Sequence, residues 1–293
     1  MKRSFAGIDL GGTQIKGVVV DESGAVLRKE LRPTNDDGSN AAVFAESIRT
    51  LARGLGGDLS LGISAPGLVR KDGRAIGWLP GRLQGLENLD WTAFLQRDVT
   101  VPVTNDAHAS LLGEAWIGAA RDLKNVVMLT LGTGVGGAAM VDGRLLRGHL
   151  GRAGHLGHVT MDFQSKDRSI VGTPGALECF LGNYNIRERT GFETTHALIA
   201  TYRAGDEFAR ECWLKSMRVL GCAIASLVNV LDPEAVIIGG GIAAAGDALF
   251  APLAAELDRI EWRPAGHAVR LVPAELGEWA GAIGAAGTAL LDM

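Results

Sequence analysis

The feature that most constrains this chain is a glycine turn that occurs twice. The first copy reads Ile8-Asp9-Leu10-Gly11-Gly12-Thr13-Gln14-Ile15-Lys16-Gly17-Val18-Val19-Val20. Short runs rich in Ile and Val flank it, so it reads as a β-hairpin with a tight Gly-Gly turn. The second copy is Leu131-Gly132-Thr133-Gly134-Val135-Gly136-Gly137-Ala138-Ala139-Met140-Val141-Asp142, and it matches Leu10 through Asp21 at a constant offset of 121 positions. Each copy leads into a second turn, Asp21-Glu22-Ser23-Gly24 in one and Asp142-Gly143 in the other. Repetition on this scale predicts two lobes built on one plan. One position sets the copies apart, because Asp9 becomes Thr130.

A turn without Cβ atoms lets backbone N–H groups come close to an anion such as a phosphate. Asp9, at the end of the entering strand, can reach a metal held by that phosphate. A hairpin with no ligand uses the same residues, so the first turn alone leaves both readings open. The duplication favours phosphate: one acidic and one hydroxyl-rich turn suit a nucleotide held between two halves.

At 293 residues the chain is expected to form about two domains. Its 47% apolar and 21% charged residues make it globular rather than disordered. A net charge of −4 without a long Lys/Arg run gives nucleic acid no electrostatic foothold, so small solutes are the expected partners. The three cysteines, Cys179, Cys212 and Cys222, form no C-x-x-C pair, which fits a reducing compartment. Met1 to Asp9 has no signal-peptide character, and no apolar stretch of spanning length is free of charges. A cytoplasmic protein without a membrane partner is expected.

Residues 1–119 read as β-β-β-α-β-α-β-α, a mixed sheet with helices on it. A strand over 99–104 delivers Asn105 and Asp106 to its carboxyl end, where open α/β sheets bind ligands. There Asp106 can take a proton from a substrate hydroxyl and Asn105 can hydrogen-bond a neighbouring one. Both are also favoured helix caps, and position alone weighs the readings equally. Residues 120–280 repeat the scheme, with helices expected over 174–181 (Thr173 as N-cap, Pro174 at its first position), 194–202, 206–229 and 248–260. A small-residue helix, about 281–293, is expected to pack back on the first lobe.

The segments IDLGGTQIKG, SAPGLV, TNDAHASLLGE, LGTGVGG, AGHLGHV, PGALE, IIGGGI and the terminal GAIGAA, in that order, resemble the ROK family of sugar kinases. That family belongs to the actin-like, sugar-kinase and heat-shock-ATPase superfamily. The resemblance runs over residues 7–286. It implies an α/β, two-lobed actin-like ATPase (ribonuclease H-like) fold with a duplicated mixed β-sheet core and a cleft between lobes. It also implies glucokinase-like, ATP-dependent phosphorylation of a hexose or hexose derivative at its primary hydroxyl, with ATP and Mg²⁺ as cofactors and a homodimeric state. Carried over residue by residue, Gly11, Gly12 and Thr13 would hold phosphates, with Asp9 near the magnesium through water. Lys16 would partly compensate for Gln14, which stands where the family often has lysine. Gly132, Thr133 and Gly134 would form the second phosphate turn, and Gly239, Gly240 and Gly241 would lie along the adenosine. Asn105, Asp106, Glu178, His158, His155 and Gly67 would bind the sugar, with Asp106 as general base.

The departures cluster on the sugar side. Where the family has C-x-C-G-x-x-G-C, this chain has Ser169-Ile170-Val171-Gly172-Thr173-Pro174-Gly175-Ala176, so all three thiolates are missing and no structural zinc is expected. His155 stands where the family usually has glutamate, Leu79 to Leu83 lack its asparagine, and His108 replaces another. An imidazole both donates and accepts where a carboxylate only accepts, so the hydroxyl pattern read at His155 can differ. Two alternatives accompany the glucokinase-like reading: an N-acetylhexosamine (ManNAc/GlcNAc) kinase, and a catalytically weak sugar sensor. The family's repressors carry an N-terminal helix-turn-helix domain, which is not expected ahead of a turn at Gly11.

Overall fold

The computed structural model describes residues 3–36, 38 and 41–291, so positions 292 and 293 of the predicted terminal helix lie outside the described residues. The chain divides into two compact units. Unit 1 takes Met1–Asp122, Arg147–Ala153 and Glu275–Met293; unit 2 takes Leu123–Leu146 and Gly154–Ala274.

Unit 1 contains strands β1 (Ser4–Leu10), β2 (Gln14–Asp21), β3 (Val26–Pro33), β4 (Ser60–Ala65), β5 (Leu68–Val69), β6 (Ile76–Trp78) and β7 (Val103–Asn105). Its helices are α1 (Ala42–Gly56), α2 (Trp91–Phe94), α3 (Asp106–Ile117) and, from the far end of the chain, α9 (Ala280–Leu291). The main sheet runs β3-β2-β1-β4-β7. The β1–β2 and β2–β3 pairs are antiparallel; β1–β4 and β4–β7 are parallel. Covered on both faces, β1 and β4 are nearly continuous apolar runs. The edge strand β3 carries Arg28, Lys29, Glu30 and Arg32, which discourage pairing with another chain. On one face α1 buries Phe44, Ile48, Leu51 and Leu55, spaced as a helix requires. On the other face α9 comes within backbone contact of the sheet and of α3. A Cβ at Gly7 would sit 2.0 Å from the Ala282 carbonyl oxygen, one at Gly62 2.0 Å from that of Ala285, and one at Gly284 1.7 Å from that of Ala109. The carboxylate of Glu114, buried in α3, accepts N–H bonds from Ala119, Glu275 and Leu276 and thereby fixes the segment leading into α9.

Unit 2 contains β8 (Val126–Leu131), β9 (Val135–Val141), β10 (Arg144–Leu145), β11 (Ala235–Gly239) and β12 (Arg270–Pro273), with helices α4 (Leu177–Leu181), α5 (Ile186–Thr190), α6 (Thr195–Arg203), α7 (Glu207–Leu231) and α8 (Asp247–Ile260). Its sheet runs β10-β9-β8-β11-β12, with two antiparallel pairs followed by two parallel ones. This is the order and sense of unit 1, so the duplication read from the glycine turns holds strand for strand. Trp213, Met217, Leu220 and Ile224 of α7 meet Leu249, Leu253 and Leu257 of α8 in the core. By length and composition α7 could cross a membrane, but Lys215 and Arg218 interrupt it and its apolar stripe belongs to that core.

Two local expectations change, and one element had no expectation. The strand over 99–104 shrinks to β7, since Pro102 has no N–H for the ladder. Pro174 does not open a helix: it bridges to Arg168, Thr173 returns its carbonyl to Ser169, and α4 begins at Leu177. The single turn α5 had no periodic signal in the sequence.

The close approach of α9 leads to a direct test. Gly284→Ala is expected to cost about 1–3 kcal/mol through overpacking against Ala109. Denaturant unfolding measures it, and a neutral result would contradict the backbone contact.

Candidate active site

The parallel run β1–β4–β7 brings three carboxyl ends to one sheet edge. Asp9 pairs with Ser64, and Ala65 pairs with Asn105. Ser64 Oγ donates to Asp9 Oδ1 at 2.8 Å. The other side of the Asp9 carboxyl is closed by α9, where a Cβ at Gly281 would lie 2.9 Å from Asp9 Cγ. Burial pushes the Asp9 carboxyl up to about 6; the Ser64 hydrogen bond opposes this, the Asp106 charge adds to it and Lys16 offsets part of it. The Lys16 ammonium, expected at the phosphates, lies 3.3 Å from Glu278.

The turn between β1 and β2 is closed by Gly11 N–H donating to the Gln14 carbonyl at 2.9 Å, and Thr34 braces it by donating from Oγ1 to the Gly11 carbonyl at 2.7 Å. Gly12 and Thr13 are exposed, and a Cβ at Gly12 would meet nothing within 4 Å. The outer face of the turn is therefore open for an anion.

The two readings of Asn105 and Asp106 divide between the two residues. Asn105 is the cap: its Oδ1 accepts from Ala107 N–H at 3.0 Å and His108 N–H at 3.2 Å. Its Nδ2 donates to the Gly67 carbonyl at 3.1 Å. Gly67 has φ +105°, and a Cβ there would lie 2.7 Å from the Trp78 carbonyl oxygen, so the position requires glycine. Asp106 is exposed at the first position of α3, with Oδ1 accepting from the Ala107 N–H at 2.8 Å.

Within unit 2 the second glycine turn is held by Gly132 N–H on the Gly134 carbonyl, and by Asn183 and Tyr184 N–H groups on the carbonyls of Gly132 and Thr133. Glu178, 2% exposed, accepts from Val135 N–H at 3.2 Å and Ile170 N–H at 2.8 Å, and His158 Nδ1 lies 3.5 Å from its Oε1. Burial by itself would raise this carboxyl, but the adjacent His158 imidazole and the hydrogen bonds from Ile170 and Val135 outweigh it and hold it below its ordinary value. A Cβ at Gly134 would lie 2.5 Å from Glu178 Oε2, so this glycine admits the carboxylate. The rings of His155 and His158 stack at 6.4 Å. Gly240, between Gly239 and Gly241, takes φ +84° and would press a Cβ to 2.3 Å from the Leu131 carbonyl oxygen, which seats this glycine run beside the second turn.

Ser64, Glu278 and the Ile170 N–H were missed as site groups. Ser64 lies within the quoted SAPGLV segment; the others come from distant or loop positions with no motif. The donor set fits a divalent cation in unit 1, since a carboxylate whose ionisation is penalised by burial gains most from a cation beside it. It does not fit a structural zinc at 169–176: Ser169, Val171 and Ala176 offer no thiolate, and hydrogen bonds from Ser169 N–H, Gly172 N–H and Tyr184 Oη close that loop. Among the described residues no group of three or more His, Cys, Asp or Glu could hold a metal ion.

Two duplicated mixed sheets with ligand groups at their strand ends define the two-lobed actin-like ATPase fold of the sugar kinases. The chain belongs to the ROK family, whose model matches residues 5–291. It is 30% identical over 315 aligned positions to a glucokinase of Halalkalibacterium halodurans, covering 96% of this chain and 93% of that one. It is 30% identical over 257 positions to an N-acetyl-D-glucosamine kinase of Pectobacterium atrosepticum, covering 81% and 84%. The ROK hexokinase of Thermus thermophilus superposes with a TM-score of 0.84 at 30% identity over 99% and 98% of the chains. A ROK glucokinase of Streptomyces griseus, solved with glucose and AMPPNP, gives 0.79 at 27% identity over 98% and 99%.

The raised Asp9 carboxyl makes a stability prediction. Unfolded, this acid ionises near 3.8; folded, near 6. Stability is therefore lost as pH climbs from about 4 to 6, by roughly 3 kcal/mol in all. Asp9→Asn, which removes the buried charge, is expected to be about 1–3 kcal/mol more stable than the parent near pH 7.5, with the gap closing toward pH 4. Guanidinium unfolding at the two pH values measures this, and an unchanged gap would refute it.

Proposed function

We propose that this chain transfers the γ-phosphoryl group of ATP to the primary hydroxyl of a hexose or hexose derivative, glucose first. The observation that carries the proposal is an exposed carboxylate, Asp106, fixed by the Asn105 cap on the same sheet edge as the buried Asp9. When bound, Mg-ATP supplies the phosphoryl group and neutralises charge. Asp9 would face the magnesium through water. The turns Gly11 to Thr13 and Gly132 to Gly134 would hold phosphates on their outer faces, with Gly239 to Gly241 along the adenosine. Asp106 would accept the proton of the attacking hydroxyl, and Asn105 would hold Gly67 in place and offer its remaining amide hydrogen to the sugar. Glu178, kept ionised by its donors, would accept from sugar hydroxyls, with His158 and His155 beside it. Phosphoryl transfer needs positioning and charge stabilisation more than covalent help, which suits this inventory.

His155 bears on which sugar is read. An imidazole can donate to an acyl or hydroxyl oxygen where a carboxylate cannot, and this favours an N-acetylhexosamine as the second acceptor to try. A cytoplasmic homodimer without structural zinc completes the reading.

In a coupled ADP assay Asp106→Ala is expected to lose about 10²–10⁴ in kcat while binding the sugar with little change. Activity within about tenfold of the parent would remove Asp106 as base. Glucose, mannose, N-acetylglucosamine and N-acetylmannosamine tested side by side identify the acceptor, and turnover of none of them would remove the kinase reading.

A further inference from the structure

We propose that unit 1 carries a subsite for a phosphorylated sugar, in the pocket that opens beside Asn105. The pocket has a volume of about 400 Å³, the size of a small-molecule site. Its floor is polar and buried: Thr104 and Asn105 end β7, and His108 stands in the first turn of α3. His108 Nε2 lies 3.0 Å from the Ala153 carbonyl oxygen, which fastens the Arg147–Ala153 segment to α3. Arg147 and His149 of that segment form one wall, and Arg70 and Lys71, just after β5, form the other. The walls meet at Gly151, where a Cβ would lie 3.3 Å from the Val69 carbonyl oxygen.

The lining holds three fixed cations and no carboxylate. Arg70 is already answered by the adjacent Asp72. Lys71 and Arg147 have no ion-pair partner among the described residues. In a chain of net charge −4, two unanswered cations over a polar floor make a local positive field that selects anions. A neutral hexose leaves both unanswered, whereas a phosphate monoester can meet both: Arg147 as a planar fork and Lys71 as a point charge. Asn105 and Thr104, in the buried floor, offer polar groups to the hydroxyls of the attached ring. The occupant that matches both the cations and the polar floor is therefore a sugar bearing a phosphoryl group, bound as an effector. The sugar half of this inference rests on the kinase reading; the anion half stands on the pocket.

Calorimetric titration of the full chain with glucose 6-phosphate, inorganic phosphate and glucose tests it, in the parent and in Lys71→Ala/Arg147→Ala. The ester is expected to bind the parent more tightly than inorganic phosphate does, with an affinity that falls as salt rises. The double variant is expected to lose about tenfold or more of that affinity. Lys71→Gln/Arg147→Gln, which keeps side-chain bulk, controls for misfolding. Ester binding that is absent, salt-independent or unchanged in both variants would overturn the subsite. Inorganic phosphate binding as tightly as the ester would reduce it to a free-anion site and overturn the sugar half. Failure of the kinase reading would show separately, as absence of turnover in the parent, and would leave the ester titration decisive.

Discussion

The register of three parallel strands, β1, β4 and β7, is the constraint on which the site in unit 1 depends. Side chains alternate across a sheet, so Gly7 and Asp9 share one face of β1 and Gly62 and Ser64 share the same face of β4. The helix α9 lies against that face and touches backbone at both glycines. A slip of one residue would bring Ala6 or Ile8 to the Ala282 carbonyl, where there is no room for a Cβ, and would turn Asp9 to the opposite face. The same packing that fixes the register also strips water from Asp9, because Gly281, in the first turn of the helix, lies directly over its carboxyl. Fold and electrostatics have one cause here: a helix of small residues seated on a sheet with gaps left for it.

The duplicated plan was legible because its signals are local. Gly-Gly turns between Ile/Val runs specify hairpins, and their repetition specifies a second sheet of equal order, which both units show. Thr194 and Asp206, the first residues of two expected helices, turn out to be their N-caps, each accepting from an N–H three residues on. What escaped the sequence is long-range or degenerate. Nothing at Glu114 announces that it will accept from Glu275 and Leu276, more than 160 residues away. Nothing at Arg147 to Ala153 marks it as part of unit 1, since the tie is one imidazole reaching one carbonyl. Asn105 and Asp106 are near-equal caps by preference, and only the backbone of the following turn decides that Asn105 caps and Asp106 is left exposed. Pro174 follows a good N-cap residue, yet Gly175, at φ +58° and pressed against the Asp162 carbonyl, bends the chain away from a helix.

The 160–176 loop is closed by hydrogen bonds among its own residues and a neighbour. Ser169 engages Thr173 through both backbone and side chain, Gly175 N–H donates to Asp167, and Tyr184 Oη donates to Arg168. Each such bond contributes only about 1 kcal/mol net, so the loop is closed by several weak contacts. The consequence reaches the site, because this loop supplies the Ile170 N–H that holds Glu178.

Asp9 and Glu178 then make an instructive pair. Both carboxyls are penalised by burial, yet one is pushed up and the other held down. The difference lies in donors. Asp9 receives one hydroxyl and feels the Asp106 charge, while Glu178 receives two backbone N–H groups and stands beside an imidazole. A carboxylate satisfied by fixed dipoles is ionised without a counterion, and its remaining lone pairs are free for neutral hydroxyls. A carboxylate buried with too few donors is stable as an anion only when a cation comes to it. The first arrangement suits reading a sugar and the second suits meeting a metal-bound phosphate. Burial penalises both, and the local supply of N–H groups is what separates them.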